Sequence, residues 1–308
     1  MKIACVIPHY RHLSTLPAVV AGARRHLADV LVVDDGTPDF PEETARRIAA
    51  SGARLIRHDR NLGKGAAILT AAEALEKAGA EFMIVIDADG QHDPDDLPKF
   101  VAAAQADPDA ITIGCRDFDS AGSVPSSSRF GREFSNFWVR LETGVKCSDT
   151  QSGFRCYPLR ALRELKLRCR RYNFEIEVLV KSLWSGFHLA EVPIHVTYAP
   201  PGGRISHFKA WRDNLQLSLL HSLLVTRRLL PIPDRKLVRE SSKSGYPSFL
   251  RHPIKFMRCL LCENADPSGL AAAAAVGTLL AVPPFIGVHM AVILYVCIRL
   301  KLNKVMVN

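Results

Sequence analysis

This sequence predicts an α/β chain with a mostly parallel central sheet, followed by a helical, membrane-associated C-terminal segment. Three observations carry that expectation. Short apolar runs alternate with helix-patterned stretches through the first half of the 308 residues. Aspartates stand at the ends of several of those runs. The last third holds all the excess positive charge and a long stretch with no charged residue. Alternation of this kind argues for parallel strands joined by crossover helices.

The elements follow in order. Residues 3–7 form a short apolar strand and 16–26 a helix. Val30-Leu31-Val32-Val33 is a second strand, ending at Asp34-Asp35-Gly36. Residues 42–51 read as a helix, 53–57 as a strand, and 65–78 as a helix rich in Ala, Leu and Glu. A strand at 82–86, a helix at 95–106 and a strand at 110–113 come next. Residues 119–131, with Gly122, Pro125 and Ser126-Ser127-Ser128, read as a loop, either a segment over a substrate or a plain linker. A helix is expected at 174–184, a strand at 189–198 and an apolar-faced helix at 215–230, which either packs on the domain or lies in a membrane interface. In open sheets of this kind ligands bind beyond the carboxyl ends of the strands, where Asp34, Asp35, Asp87 and Asp89 all fall.

Charge divides the chain. Residues 1–200 hold 25 Lys+Arg against 26 Asp+Glu, and residues 201–308 hold 15 against 5. A basic segment beside an apolar one suits an anionic membrane surface. No nucleic-acid recognition motif accompanies the charge, so nucleic acid is not the expected partner. The eight cysteines show no paired framework, and Met1-Lys2-Ile3 runs directly into a strand, so reduced thiols and no secretory leader are expected. Cys259-x-x-Cys262 fits one face of a helix better than half a zinc site. Residues 267–298 contain no Asp, Glu, Lys or Arg, and Pro283-Pro284 splits them into two short segments. Basic residues flank the run on both sides, which suggests a hairpin returning both ends to the cytoplasm, with no further membrane segment expected before Asn308. The expected organisation is residues 1–230 as the α/β domain, 231–248 as a basic linker and 249–308 as the membrane-associated part.

Chemistry concentrates at Asp87-Ala88-Asp89-Gly90-Gln91-His92, which follows the 82–86 strand. Two carboxylates two residues apart at a strand end suit Mg²⁺ or Mn²⁺, hard cations that bind one or two carboxylates together with substrate phosphates. Such a pair alone also fits a solvated loop or a helix cap. Around it stand, in order, Ile7-Pro8-His9-Tyr10, Val33-Asp34-Asp35-Gly36-Thr37, Asn61-Leu62-Gly63-Lys64-Gly65, Ile113-Gly114-Cys115-Arg116, Ser128-Arg129, Ser152-Gly153-Phe154-Arg155, Tyr172-Asn173-Phe174-Glu175-Ile176-Glu177 and Glu191-Val192-Pro193-Ile194. Asn61–Gly65 lacks the spacing of a true phosphate loop, and Lys64 either contacts a phosphate or is simply solvated.

The motif order over about residues 1–200 resembles the family 2 glycosyltransferases, in the branch of dolichyl-phosphate mannose and polyprenyl-phosphate sugar synthases. The tail resembles a small membrane-associated domain of unknown function. The resemblance implies a GT-A nucleotide-sugar-binding fold and inverting transfer from a nucleoside diphosphate sugar, GDP- or UDP-linked. It implies that Pro8, Tyr10, Asp34 and Asp35 hold the nucleoside, and that Asp87, Asp89 and Gln91 form the metal set, with Asp89 bridging metal and diphosphate. It puts Arg116, Arg129 and Arg155 near the sugar and phosphates, with Ser152 shaping the sugar-side loop. Glu177 matches the family's acidic residue, a base if the acceptor is a hydroxyl. After the Val-Pro-Ile strand, His207 stands where the branch usually has Lys, and Arg204, His207 and Lys209 remain candidate phosphate contacts. The expected activity is sugar transfer to a polyprenyl phosphate at the cytoplasmic face of the cell membrane. The alternatives are the same donor chemistry on a lipid or polyketide hydroxyl, and a catalytically silent nucleotide-binding membrane module.

Overall fold

The computed structural model describes residues 1–116, 126–197, 210–229, 234–238, 295, 296 and 299; for residues 126–130, 210–212 and 229 it describes the backbone alone. Five strands alternating with four helices open the chain. They are β1 (Ile3–His9), α1 (Leu16–His26), β2 (Val30–Asp34), α2 (Glu42–Ala50), β3 (Arg54–Arg57), α3 (Lys64–Lys77), β4 (Phe82–Val85), a 3₁₀ turn (Pro94–Asp96) running into α4 (Leu97–Ala106), and β5 (Ala110–Arg116). Next come α5 (Ser126–Thr143), β6 (Arg155–Pro158), α6 (Leu159–Glu164), α7 (Phe174–Trp184), β7 (His188–Ile194) and α8 (Ala210–Leu229).

The seven strands form one sheet in the order β3-β2-β1-β4-β6-β5-β7. Neighbouring pairs β1–β2, β1–β4, β2–β3 and β5–β7 are parallel. The sheet is mostly parallel, as expected, and is mixed because β6 runs antiparallel to both β4 and β5. Every residue of β2 and β4 is buried, as strands covered on both faces must be. On one face α1, α2 and α4 pack residues such as Leu16, Ile48 and Phe100 against Ile7, Val32 and Ile84. Phe100 stacks on Phe154 with ring centroids 4.2 Å apart. Helix α3 covers the other face of β1 and β2, with α6 and α7 beside it. Its Ala66, Ala67, Ala71 and Ala72 allow that close approach.

Two further elements differ from the sequence reading. Residues 126–131, expected in a loop, begin α5. A serine run is compatible with a helix's first turn, and the buried positions Ser135, Val139, Glu142 and Thr143 give this helix its inward stripe. Helix α6 was not expected. It is six residues long and starts directly at the end of β6.

The chain divides into two compact units. One comprises residues 1–139, 146–220 and 234–238 and contains the whole sheet. Its residues 234–238 fall in the expected linker but dock on this unit: Leu237 and Val238 donate backbone N–H groups to Ser185 O at 2.8 and 3.2 Å. Val238 also packs with Ala161 and Phe187. The other unit comprises residues 140–145, 221–233 and 239–308, and within it His221 Nδ1 lies 2.7 Å from Glu142 Oε1. The expected apolar hairpin at 270–298 and most of the expected 231–248 linker lie outside the described residues. Among the described residues no helix is long and apolar enough to cross a membrane.

Candidate active site

The carboxyl ends of β1, β2 and β4 bring the first motifs together. Asp34 ends β2 and is fully buried. Its Oδ1 accepts from His9 Nδ1 at 3.0 Å, its Oδ2 from Arg57 Nε at 3.2 Å, and Thr37 N points at both oxygens. Burial works against the charge, but these donors outweigh it and hold the carboxyl below its usual range. Asp35 is equally occupied. Its Oδ1 accepts from His58 Nδ1 (2.8 Å) and Leu62 N (2.9 Å), and its Oδ2 from Gly63 N (2.7 Å). Asp35 thereby fixes the turn that launches α3. At that turn Gly63 has φ +104°, and a Cβ there would sit 2.4 Å from Arg170 O, so glycine is required twice over.

Beside these two aspartates lies a cavity of about 530 Å³, lined by Tyr10, Gly36–Pro38 and Arg57–Asn61. The residues expected to hold the nucleoside stand around this cavity. Tyr10 lines the cavity, whereas Pro8, Asp34 and Asp35 are buried behind its wall and shape it through Thr37, Arg57 and His58. Arg57 is held from two sides, by Asp34 and by the Phe40 ring, whose centroid lies 4.6 Å from the guanidinium carbon. Sequence reasoning missed Arg57, His58 and Arg60. The basic run Arg57-His58-Asp59-Arg60 at the end of β3 was the available signal.

A second cluster lies beyond β4. Lys64, the first residue of α3, places Nζ 2.6 Å from Asp87 Oδ1 and 2.7 Å from Glu175 Oε1. Lys64 thus stands between two carboxylates with its side chain only 16% exposed. Burial alone would depress its pKa, but the two carboxylates raise it above the ordinary lysine value. Asp87 is held low by the same contact against the cost of its burial. Burial lowers the pKa of His92, whose ring packs on Phe154 at 5.5 Å. Gly153 closes the cluster. A Cβ at this position would lie 2.5 Å from both Asp87 Oδ2 and Lys64 Nζ.

The remaining expected residues fall in distinct places. Arg155 is fully buried in β6 and donates to three backbone carbonyls, those of Ser152 (2.7 Å), Glu175 (2.7 Å) and Thr150 (2.6 Å). It ties the 150–153 loop to α7. Ser152 is buried in that loop. Arg116 forms a fork with Asp149, Nε–Oδ2 2.6 Å and Nη2–Oδ1 2.8 Å, at the end of β5. Arg129 lies on α5 where only the backbone is described, and Arg204 and His207 lie outside the described residues.

Glu177, matched to the family's acidic residue, lies on α7. It is buried, its Oε2 accepts from Arg168 N (2.9 Å) and Cys169 N (2.7 Å), and its Oε1 pairs with Lys181 Nζ at 2.6 Å. Burial opposes its charge, yet Lys181 and the two amides hold the carboxyl low. It staples the 165–173 loop to α7 and stands away from the Lys64 cluster. Residues two apart on a helix point about 200° apart, so the acid that reaches the cluster is Glu175.

The donor set fits a divalent cation that arrives with a diphosphate. Asp87 is committed to Lys64, while Asp89 is half-buried and uses Oδ1 to accept from Gln91 N at 3.0 Å. Among the described residues no cluster of three or more His, Cys, Asp or Glu side chains forms a ready metal cage. Mg²⁺ and Mn²⁺ sites commonly combine one or two carboxylates with substrate phosphates.

The match of residues 4–168 to the family model "Glycosyl transferase family 2" decides the class. The chain belongs to glycosyl transferase family 2. Among curated proteins, this glycosyltransferase is 27% identical over 215 residues to the UDP-N-acetylglucosamine–dolichyl-phosphate N-acetylglucosaminyltransferase of Methanococcus voltae, covering 64% of this chain and 86% of the relative. It is 28% identical over 204 residues to the undecaprenyl-phosphate mannosyltransferase of Micrococcus luteus, covering 63% and 83%. Among solved structures, glucosyl-3-phosphoglycerate synthase from Mycobacterium tuberculosis superposes with a TM-score of 0.51 at 18% identity, over 65% of this chain and 73% of that one. That likeness supports the GT-A fold for this glycosyltransferase.

Proposed function

We propose that this family 2 glycosyltransferase moves a sugar from a nucleoside diphosphate sugar to a polyprenyl phosphate. The carrying observation is the state of its two candidate bases. Glu175 is ion-paired to Lys64 and Glu177 is held by Lys181 and two amides, which supports an acceptor that asks no base of either. A hydroxyl acceptor needs a base, whereas a phosphate oxygen is already anionic and needs none. The printed names of the relatives, a dolichyl-phosphate and an undecaprenyl-phosphate transferase, support the same acceptor class.

In this reading the cavity beside Tyr10 and Arg57 takes the nucleoside. The acceptor phosphate oxygen attacks the anomeric carbon, a C–O bond to the acceptor phosphate forms, and the bond to the nucleoside diphosphate breaks with inversion. Asp89 would hold Mg²⁺ or Mn²⁺, which supplies neutralisation of the charge on the departing diphosphate. Lys64 holds Asp87 and Glu175 in place, and Gly153 lets the 150–153 loop lie directly against them. The reaction is placed at the cytoplasmic face of the membrane, where donor and lipid carrier meet.

A radiolabel transfer assay tests this, offering GDP-mannose, UDP-glucose and UDP-N-acetylglucosamine with either polyprenyl phosphate or the corresponding polyprenol. An acid-labile lipid-linked sugar formed only from the phosphate, and lost with chelator, is expected. Transfer to the free polyprenol at a comparable rate would overturn the acceptor assignment.

A further inference from the structure

At the carboxyl edge of the sheet, beside the Tyr10 cavity, four side chains hold one another in a closed circuit. His9 and Asp34 are partners in the parallel register of β1 and β2, and both are enclosed, at 1% and 0% exposure. His9 Nδ1 donates to Asp34 Oδ1 at 3.0 Å, and Asp34 Oδ2 accepts from Arg57 Nε at 3.2 Å. The Arg57 guanidinium carbon stands 4.6 Å from the centre of the Phe40 ring. The Phe40 and His9 rings, 5.8 Å apart and nearly perpendicular, complete the circuit. The turn between Asp34 and Phe40 is fixed as well: Thr37 N points at the Asp34 carboxylate, and Thr37 Oγ1 accepts from Arg11 N at 2.9 Å.

One member of the circuit opens outward. Arg57 lines the cavity with 46% of its side chain exposed. An arginine carries five N–H donors, and Asp34 takes the one on Nε. Among the described residues no other protein acceptor meets the guanidinium, so its two terminal nitrogens remain available to a ligand.

His9 is not what packing alone would select. Its Nε2 is buried with no hydrogen-bond partner among the described residues. Phenylalanine would fill the same space without a buried unpaired polar atom, which destabilises a core. What phenylalanine lacks is the Nδ1 donor. With Oδ1 held by that donor, Oδ2 of the same carboxylate is turned to Arg57.

We infer that His9 is a positioning residue for the nucleotide donor. Through Asp34 and Phe40 it sets the Arg57 fork against the cavity, and the fork takes an acceptor oxygen of the nucleoside. A planar guanidinium suits this work because its donors are fixed in direction and its charge strengthens each hydrogen bond. His9 itself touches no ligand. The inference rests on the nucleoside reading of the cavity given above.

Calorimetry of the full chain with GDP, UDP and the two monophosphates, in Mg²⁺, tests it. H9F keeps a ring and removes the donor, whereas H9N keeps a donor at the place of Nδ1. H9F should weaken binding of the nucleotide that the parent takes about tenfold, the loss of one charge-assisted contact, and H9N by about threefold at most. H9L, smaller and also without a donor, is read in the same way should H9F not fold. In an R57A background H9F should have no further effect, because the group it orients is gone. The loss should fall on the donor KM and not on kcat. A purely structural His9 would lower the thermal midpoint and weaken binding equally with and without Arg57, and that additivity overturns the inference. So does H9F binding like the parent. A loss confined to the diphosphates would move the fork to the phosphates and overturn it as well. Normal nucleotide binding by R57A sinks the nucleoside reading of the cavity together with the inference; weakened R57A beside an unchanged H9F sinks the role of His9 alone.

Discussion

Replacing Lys64 by Met removes one cation from between two carboxylates. Lys64, Asp87 and Glu175 side chains are 16%, 25% and 11% exposed, so water replaces little of the lost interaction. Breaking a buried pair by deleting one partner typically costs about 3–5 kcal/mol, because the remaining charge is left uncompensated. Partial exposure places this cluster near the low end, at about 3 kcal/mol. For a domain of this size that corresponds to a fall of about 6–12 °C in the thermal midpoint. The loss should grow with pH. Without Lys64 the burial of Asp87 is left less opposed and pushes its folded-state pKa upward, and a group with a raised folded pKa loses stability as pH rises through that pKa. K64M should therefore lie closer to the wild type at pH 5 than at pH 8. Neutralising one acid should repair part of the damage, so K64M/E175Q should be more stable than K64M alone, a coupling that a double-mutant cycle reads directly. Urea denaturation of the four proteins at both pH values is the assay. A K64M cost below about 1 kcal/mol, or a double variant no better than the single, would refute the ion-pair cluster as the element that holds this side of the site.

Four further outcomes follow from the same geometry. G153A puts a methyl 2.5 Å from Asp87 Oδ2 and Lys64 Nζ, so sugar transfer should fall at least about tenfold, read by initial rates at saturating donor. R57A removes a cation that Asp34 and Phe40 hold against the cavity, and nucleoside diphosphate binding by calorimetry should weaken about tenfold. D89N should abolish metal-dependent transfer while leaving the thermal midpoint within about 1 °C, since Asp89 is half-buried and its Gln91 amide bond survives the change. The depressed pKa of Asp34 contributes stability that is present above its unfolded value of about 3.9 and is lost as pH falls through the lower folded value. D34N should therefore be less stable than the parent at neutral pH and lose less on acidification, as urea titrations from neutral to strongly acidic pH will show.

The parts of the fold that were legible in the sequence are those with long-range periodicity. Val30–Asp34 and Phe82–Val85 are apolar on both faces because helices cover both sides of the sheet, and an uninterrupted apolar run is the signature of that burial. Strand β6 escaped notice because its four residues include an arginine, and only the carbonyls of Thr150, Ser152 and Glu175, brought together by the fold, make burial of that arginine tolerable. The site shows the same division. Motif order marked the right segments, but the residue types do not say whether a carboxylate faces ligand or protein. Asp34, Asp35 and Glu177 were expected at the substrate, and in the ligand-free fold each carboxylate is met by protein donors. Glu175 received no role from the motif, yet it reaches the cluster because it lies about 200° around α7 from Glu177. Both α7 acids are engaged by lysines in this fold, an arrangement that suits a nucleophile arriving already charged, such as a phosphate oxygen, which asks for no base.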